Sequence, residues 1–255
     1  MNLLISNDDG IEAQGIRELA KALAEEHDVY IFAPHTQRSA SGHGITMKIP
    51  VMVKEVEFPY AKRAWEMQGT PVDCVKIGLE ILRTQGIAID MVFAGINHGS
   101  NLGTDVLYSG TASVALEGAI NHIPSVALSV YEHEPKHFDT ACWMAVQACR
   151  LVKGKLPADT ALNINIPDLP REEIRGVRVT RLGPREYEEW FLPVEAESGE
   201  FPAYTYAGSP IRYENLPEDM DVVAAQEGYI SVTPLQLDLT AHKLRREVET
   251  WGFTV

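Results

Sequence analysis

From residue 2 to about residue 166 the chain alternates short apolar runs with stretches of helical periodicity, which leaves few architectures open. The apolar runs lie at 3–6, 29–33, 91–96, 125–129 and 162–166, and the helix-patterned stretches at 13–25, 71–83, 111–121 and 138–152. Strands that are apolar along their length are buried on both faces, and strand–helix–strand order requires crossover helices to cover them. An α/β fold with a mostly parallel sheet and helices on both faces follows. Residues 44–68 break the alternation with β-type runs at 45–47, 51–53 and 64–67, read as an antiparallel extension. After Pro167 the pattern changes to β-prone runs, prolines and aromatics with little helical period. The expected organisation is therefore a core at 1–170 and, over 171–255, a β-rich hairpin arm and C-terminal segment too thin to form its own domain. Exposed aromatics there (Tyr187, Trp190, Phe191, Phe201, Tyr204, Tyr206) fit either an arm pairing with another subunit or a lid folded onto its own chain.

A chain of 255 residues with 45% hydrophobic and 23% charged residues can bury an ordinary globular core. A formal charge of −14 argues against an open basic surface for a nucleic-acid polymer, since no counterions would be released. It leaves room for a small phosphorylated substrate recognised by a metal and backbone amides. No basic leader opens the chain and no apolar run approaches the roughly 18 residues of a membrane span, so a cytoplasmic protein without a membrane partner is expected. Cys74, Cys142 and Cys149 lack CxxC spacing and read as small buried hydrophobes.

The densest chemistry is Asn7-Asp8-Asp9-Gly10, directly after the first apolar run. Adjacent carboxylates in a partly dry loop repel one another and stay ionised only with positive charge between them, which a divalent cation supplies. An Asx turn or helix cap is the plainer reading of an isolated Asp-Asp. Two further polar loops, 34–43 and 97–101, also follow predicted strands, and in an open α/β sheet such loops share one rim. Tyr108-Ser109-Gly110-Thr111 opens the helix at 111–121, where helix-start amides and the dipole bind anions, although Ser109 could equally be a plain N-cap.

Ser6-Asn7-Asp8-Asp9-Gly10, Arg38-Ser39-Ala40, Gly69-Thr70-Pro71-Val72-Asp73-Cys74, the 95–103 run with Asn97-His98-Gly99-Ser100-Asn101, and Tyr108-Ser109-Gly110-Thr111 occur in this order. Together they resemble the SurE (survival protein E) nucleotidase family, with similarity extending to the Ser-Val-Thr-Pro-Leu segment at 231–235. The resemblance implies a Rossmann-like fold whose C-terminal region makes dimer and tetramer contacts. It also implies a divalent-metal-dependent phosphatase acting on nucleoside 5′- and 3′-monophosphates, sometimes with exopolyphosphatase activity. Its metal ligands match Asp8, Asp9, Ser39 and Asn97, all hard oxygen donors suited to one Mg²⁺, Mn²⁺ or Ca²⁺ ion. The implied catalytic residues are Asp8, Asp9 and Asn97, with Ser109, Gly110 and Thr111 at the phosphate. One departure is His35, where many relatives carry Asp; it bears on how the 35–43 loop is held.

The 69–73 segment reads as a helix start, with Thr70 at the N-cap and Pro71 at N1. His43 and His98 are the histidines nearest the site, able to protonate a departing alkoxide but more simply hydrogen-bonding loop residues. Trp143 and Met144 read as core. Three functions compete: hydrolysis by metal-activated water, an aspartyl-phosphate phosphatase with Asp8 as nucleophile, and a non-catalytic nucleotide-binding sensor. Adjacent acids suit the second poorly, and the missing GxGxxG weakens a dinucleotide version of the third.

Overall fold

Alternate residues of the central strands face opposite sides of one sheet, and both sides are apolar. The computed structural model describes residues 1–132, 134–157, 159–188, 191–195 and 202–255; Trp190 and Phe201 lie outside them. The main sheet contains β1 (Asn2–Ser6), β2 (Asp28–Pro34), β3 (Val53–Val56), β4 (Arg63–Met67), β5 (Met91–His98), β6 (Ser125–Val130), β7 (Thr160–Ile166), β8 (Val177–Val179) and, late in the chain, β11 (Ile230–Gln236). Between β8 and β11, strands β9 (Phe191–Val194) and β10 (Ala203–Tyr206) form a separate antiparallel pair. Helices are α1 (Gln14–Leu23), α2 (Pro71–Thr84), α3 (Gly110–Ile120), α4 (Phe138–Val152), α5 (Asp221–Gln226) and α6 (His242–Val248).

Leu3 and Ile5 of β1 join Val29 and Ile31 of β2 under α1 and α4, whereas Leu4, Tyr30 and Phe32 pack on the other face with α2 and α3. Each fully buried Leu or Ile contributes about 1.5–3 kcal/mol over its exposed state. The period-2 pattern thus commits both faces at once, giving the α/β layering read from the sequence. Thr70 and Asp73 form a capping box with Pro71 at the start of α2, as the local sequence predicts.

The sheet order is β3-β4-β2-β1-β5-β6-β7-β11-β8. The chain leaves β1 for β2 on one side and later returns to place β5 on the other. Strand order therefore reverses around β1, and a crevice opens outside the carboxyl ends of β1 and β5. Asp8 follows one of these strands, and Asn97 lies in the other, one residue before its end at His98.

Two expectations are corrected. The 44–68 segment is antiparallel only between β3 and β4; β4 pairs parallel with β2, and residues 45–47 form no strand. Within 171–255, β8 and β11 continue the main sheet, with β11 antiparallel to β7. β11 buries Ile230 and Leu235, which its place in the sheet stabilises over exposure to solvent. Met144 is core, but Trp143 is partly exposed, with Arg171 over its ring, because it lies on the outer side of α4.

Helix α1 is pressed against the site through Gly15, where an added Cβ would lie 1.9 Å from the Ile96 main-chain oxygen. Gly15→Ala should lower stability in urea unfolding by about 2 kcal/mol or more, despite Ala's helix advantage of about 1 kcal/mol. Unchanged or greater stability would show that α1 is not held against β5.

Candidate active site

The crevice is a cleft of about 550 Å³ whose polar end is lined by Asp8, Ser39, Asn97 and Ser109. Asp8 is 5% exposed, and its Oδ1 accepts the Thr111 hydroxyl at 2.5 Å. Burial pushes its carboxyl up to about 6; the Thr111 hydrogen bond opposes the rise, and the neighbouring Asp9 charge adds to it. Asp9 accepts the His98 main-chain N–H at 3.1 Å and Gln37 Nε2 at 3.4 Å, which ties the loop after β1 to the end of β5. Asn97 donates Nδ2 to the Gly99 carbonyl at 2.7 Å, leaving Oδ1 as the acceptor end of a fixed amide. A register shift in the β5–β6 pairing between Ala94 and Asn97 re-aims this strand end.

Ser39 reaches the cleft on a loop fastened at several points. Arg38 N donates to the Asp8 carbonyl at 2.7 Å, and Gly42 N to the Tyr108 carbonyl at 2.9 Å. His43 Nε2 lies 3.0 Å from Glu117 Oε2, and Lys76 Nζ 3.0 Å from Glu117 Oε1. Burial would raise the Glu117 carboxyl, but these partners and Asn121 more than offset it and hold it below the usual range. Asp73 accepts the Thr46 N–H at 3.0 Å, and His35 Nδ1 sits 3.0 Å from Glu66 Oε2. The departure at His35 thus has its own anchor on β4.

Both histidines have structural contacts. His43 pairs with Glu117, and the His98 ring packs against Phe138 with centroids 5.5 Å apart. At the start of α3, Ser109 Oγ accepts the Ala112 N–H at 2.9 Å, so its side chain is the N-cap. The Thr111 hydroxyl is spent on Asp8. A Cβ at Gly110 would fall 2.7 Å from both Asp8 Cβ and Oδ2, so glycine alone lets the helix start this close to the carboxylate.

The fold therefore brings Asp8, Asp9, Ser39, Asn97, Ser109, Gly110 and Thr111 together from four stretches of chain. Two carboxylates, a hydroxyl and an amide oxygen fit a hard divalent cation, which would offset the cost of ionising Asp8.

Sequence reasoning missed the supporting shell. Ser41 Oγ is buried without a hydrogen-bond partner and would lie 3.0 Å from a Cβ at Gly110. Asn165 Oδ1 accepts the Asn101 N–H at 2.7 Å, and Asn163 Nδ2 donates to the Asn101 carbonyl at 2.8 Å. Asp221 is fully buried and accepts N–H groups from Gly103, Gly183 and Val222, each at 2.8 Å. The two asparagines were legible as polar residues two apart inside an apolar strand; Asp221 gave no local signal.

Asp8 carries a testable pH signature. Its folded-state pKa of about 6 exceeds the ordinary 3.8, so ionised Asp8 weakens the folded state above pH 6, and the cost vanishes below about pH 4. In EDTA, Asp8→Asn should have a higher unfolding free energy than the parent at pH 7.5, by on the order of 2 kcal/mol, and the two should converge at pH 4. An equal difference at both pH values would remove desolvation as its cause.

A family model described as "Survival protein SurE" matches residues 3–189. A protein named 5′-nucleotidase SurE from Pelotomaculum thermopropionicum is 44% identical over 250 residues, covering 98% of this chain and 94% of that one. A protein of the same name from Heliobacterium modesticaldum is 42% identical over 254 residues, covering 98% of this chain and 92% of that one. The crystal structure of the SurE protein from Aquifex aeolicus superposes with a TM-score of 0.83 at 37% identity, covering 98% of both chains. With that likeness spanning core and C-terminal segment alike, the chain belongs to the survival protein SurE family.

Proposed function

We propose that this protein is a divalent-metal-dependent nucleotidase that hydrolyses nucleoside 5′- and 3′-monophosphates, with polyphosphate as a secondary substrate. The relatives' shared name, 5′-nucleotidase, supports the substrate class. The single observation that carries the chemistry is the convergence of Asp8, Ser39 and Asn97 on one cleft beside the start of α3. Asp8, Asp9, Ser39 and Asn97 would hold one Mg²⁺, Mn²⁺ or Ca²⁺ ion. Bound there, the ion would supply Lewis-acid polarisation of a phosphoryl oxygen and make water nucleophilic at neutral pH.

The chain's own residues then position and stabilise. Thr111 fixes the Asp8 carboxylate, the His98 amide fixes Asp9, and the Gly99 carbonyl orients Asn97. Main-chain amides at Gly110 and the dipole of α3 favour the negative charge on the equatorial phosphoryl oxygens. Asp8 or Asp9 accepts a proton from the attacking water, which displaces the alkoxide in line. Because the donors sit in a crevice rather than on open surface, their electrostatic effect is larger than it would be in bulk water.

We further infer a homo-oligomer, a dimer or tetramer, with 171–255 contributing contacts, in the cytoplasm. Exposed Leu192, Val194 and Tyr204 on the hairpin, and Leu239, Trp251 and Phe253 near the C-terminus, support that reading. No helix among the described residues is long and apolar enough to cross a membrane.

Phosphate release from AMP and 3′-AMP should stop with EDTA and return with Mn²⁺ or Mg²⁺. Asp8→Asn and Asp9→Asn should each lower kcat/KM by roughly a hundredfold or more while remaining folded. Wild-type rates in either variant at saturating metal would overturn the ligand assignment. Sedimentation equilibrium should give a dimer or tetramer mass, and a monomer at micromolar concentration would overturn the oligomer.

A further inference from the structure

The cleft that holds the oxygen donors is also lined by aromatic rings: Tyr187 just before β9, Phe191 on β9 and Tyr206 on β10. Phe191 and Tyr206 meet edge-to-face, with centroids 5.7 Å apart and planes at 80°; Tyr187 and Tyr206 do so at 6.1 Å and 65°. Such packing holds rings at fixed angles to one another. Phe191 is nonetheless 59% exposed and Tyr206 56%, so a large π-surface faces a space lined with polar groups. Left uncovered, aromatic area of this size is unfavourable in water.

The wall is also tied to the phosphate end. The Tyr187 hydroxyl donates to Asp105 Oδ2, and Arg185 Nε donates to the same oxygen at 3.2 Å. The Asp105 main-chain oxygen accepts the N–H of Ser109 at 3.1 Å, which links the aromatic wall to the residue that caps α3. Flat π-surface held at fixed offset from an anion site is the chemistry that receives a planar heterocycle joined to a phosphate through a sugar.

We propose that Phe191 and Tyr206, with Tyr187 behind them, form the platform on which the nucleobase stacks while its phosphate lies at Asp8, Asn97 and the start of α3. The proposal rests on the nucleotidase reading and deepens it. Recognition through a ring face selects for the presence of a base and discriminates little between bases, because every base offers a π-face. The hairpin is thus a specificity element of the reaction centre.

The test compares substrates that share a phosphate and a sugar but differ in the base. The kcat/KM ratio of AMP to ribose 5-phosphate should fall about 5- to 100-fold in Phe191→Ala, the range expected for one lost base stack. Phe191→Trp should restore it, and the loss should appear in KM more than in kcat. Equal losses on both substrates, or no rescue by Trp, would overturn the platform and leave Phe191 a packing residue. Calorimetric titration of AMP, read alongside, separates this failure from failure of the parent reading. A wild-type protein that binds AMP but releases no phosphate, with weaker AMP binding in Phe191→Ala, keeps the platform and loses the nucleotidase. A wild-type protein that binds no AMP loses both.

Discussion

A carboxylate taken out of water next to a second carboxylate is the constraint around which this molecule is arranged. Ionised Asp8 is costly where it stands, since burial and the Asp9 charge both favour the protonated acid. The fold answers with donors brought from afar: the Thr111 hydroxyl on Asp8 and the His98 amide on Asp9. Each donor belongs to a different part of the α/β core, so the site exists only when β5 and α3 are docked beside β1. A cation among Asp8, Asp9, Ser39 and Asn97 would complete the charge balance that protein donors leave partial.

Rigid support for that arrangement comes from buried polar groups deeper in the sheet. Asn163 and Asn165 project from β7 onto Asn101, while Asp221 clips Gly103 and Gly183 at once. The first pair holds the loop that follows Asn97. The second joins that loop to the stem of the aromatic hairpin. Buried amides and carboxylates of this kind are tolerable only when satisfied, and when satisfied they specify one conformation. The late strand β11 matters for the same reason. By continuing the sheet beyond β7 it places α5, and therefore Asp221, behind the cleft.

Close backbone approach is the other device. Gly15 seats α1 against the Ile96 carbonyl, and Gly110 seats α3 against Asp8. In both places a methyl group would push apart elements that line or border the cleft. Stability and the proposed mechanism make opposed demands on Asp8: a neutral residue would pack more comfortably there, whereas holding a cation would require the charge.

The sequence by itself determined the layering and the chemistry of the parts. Apolar runs of strand length between helix-patterned stretches admitted little besides a parallel sheet covered on both faces. Asp8, Asp9, Ser39, Asn97 and the Ser109–Thr111 turn stood out as oxygen donors and a helix start at predicted strand ends. Those signals are local: periodicity, turn chemistry and residue type act within a few positions. Only the tertiary structure decided that strand order reverses at β1, that β8 and β11 rejoin the sheet, that Asp221 ties Gly103 to Gly183, and that the aromatic rings line the cleft of Asp8 and Asn97. It also decided that Thr111 serves Asp8 and that His43 serves Glu117. Such choices depend on contacts between residues dozens of positions apart, whose energies arise only once the layers pack, and no short-range pattern encodes them.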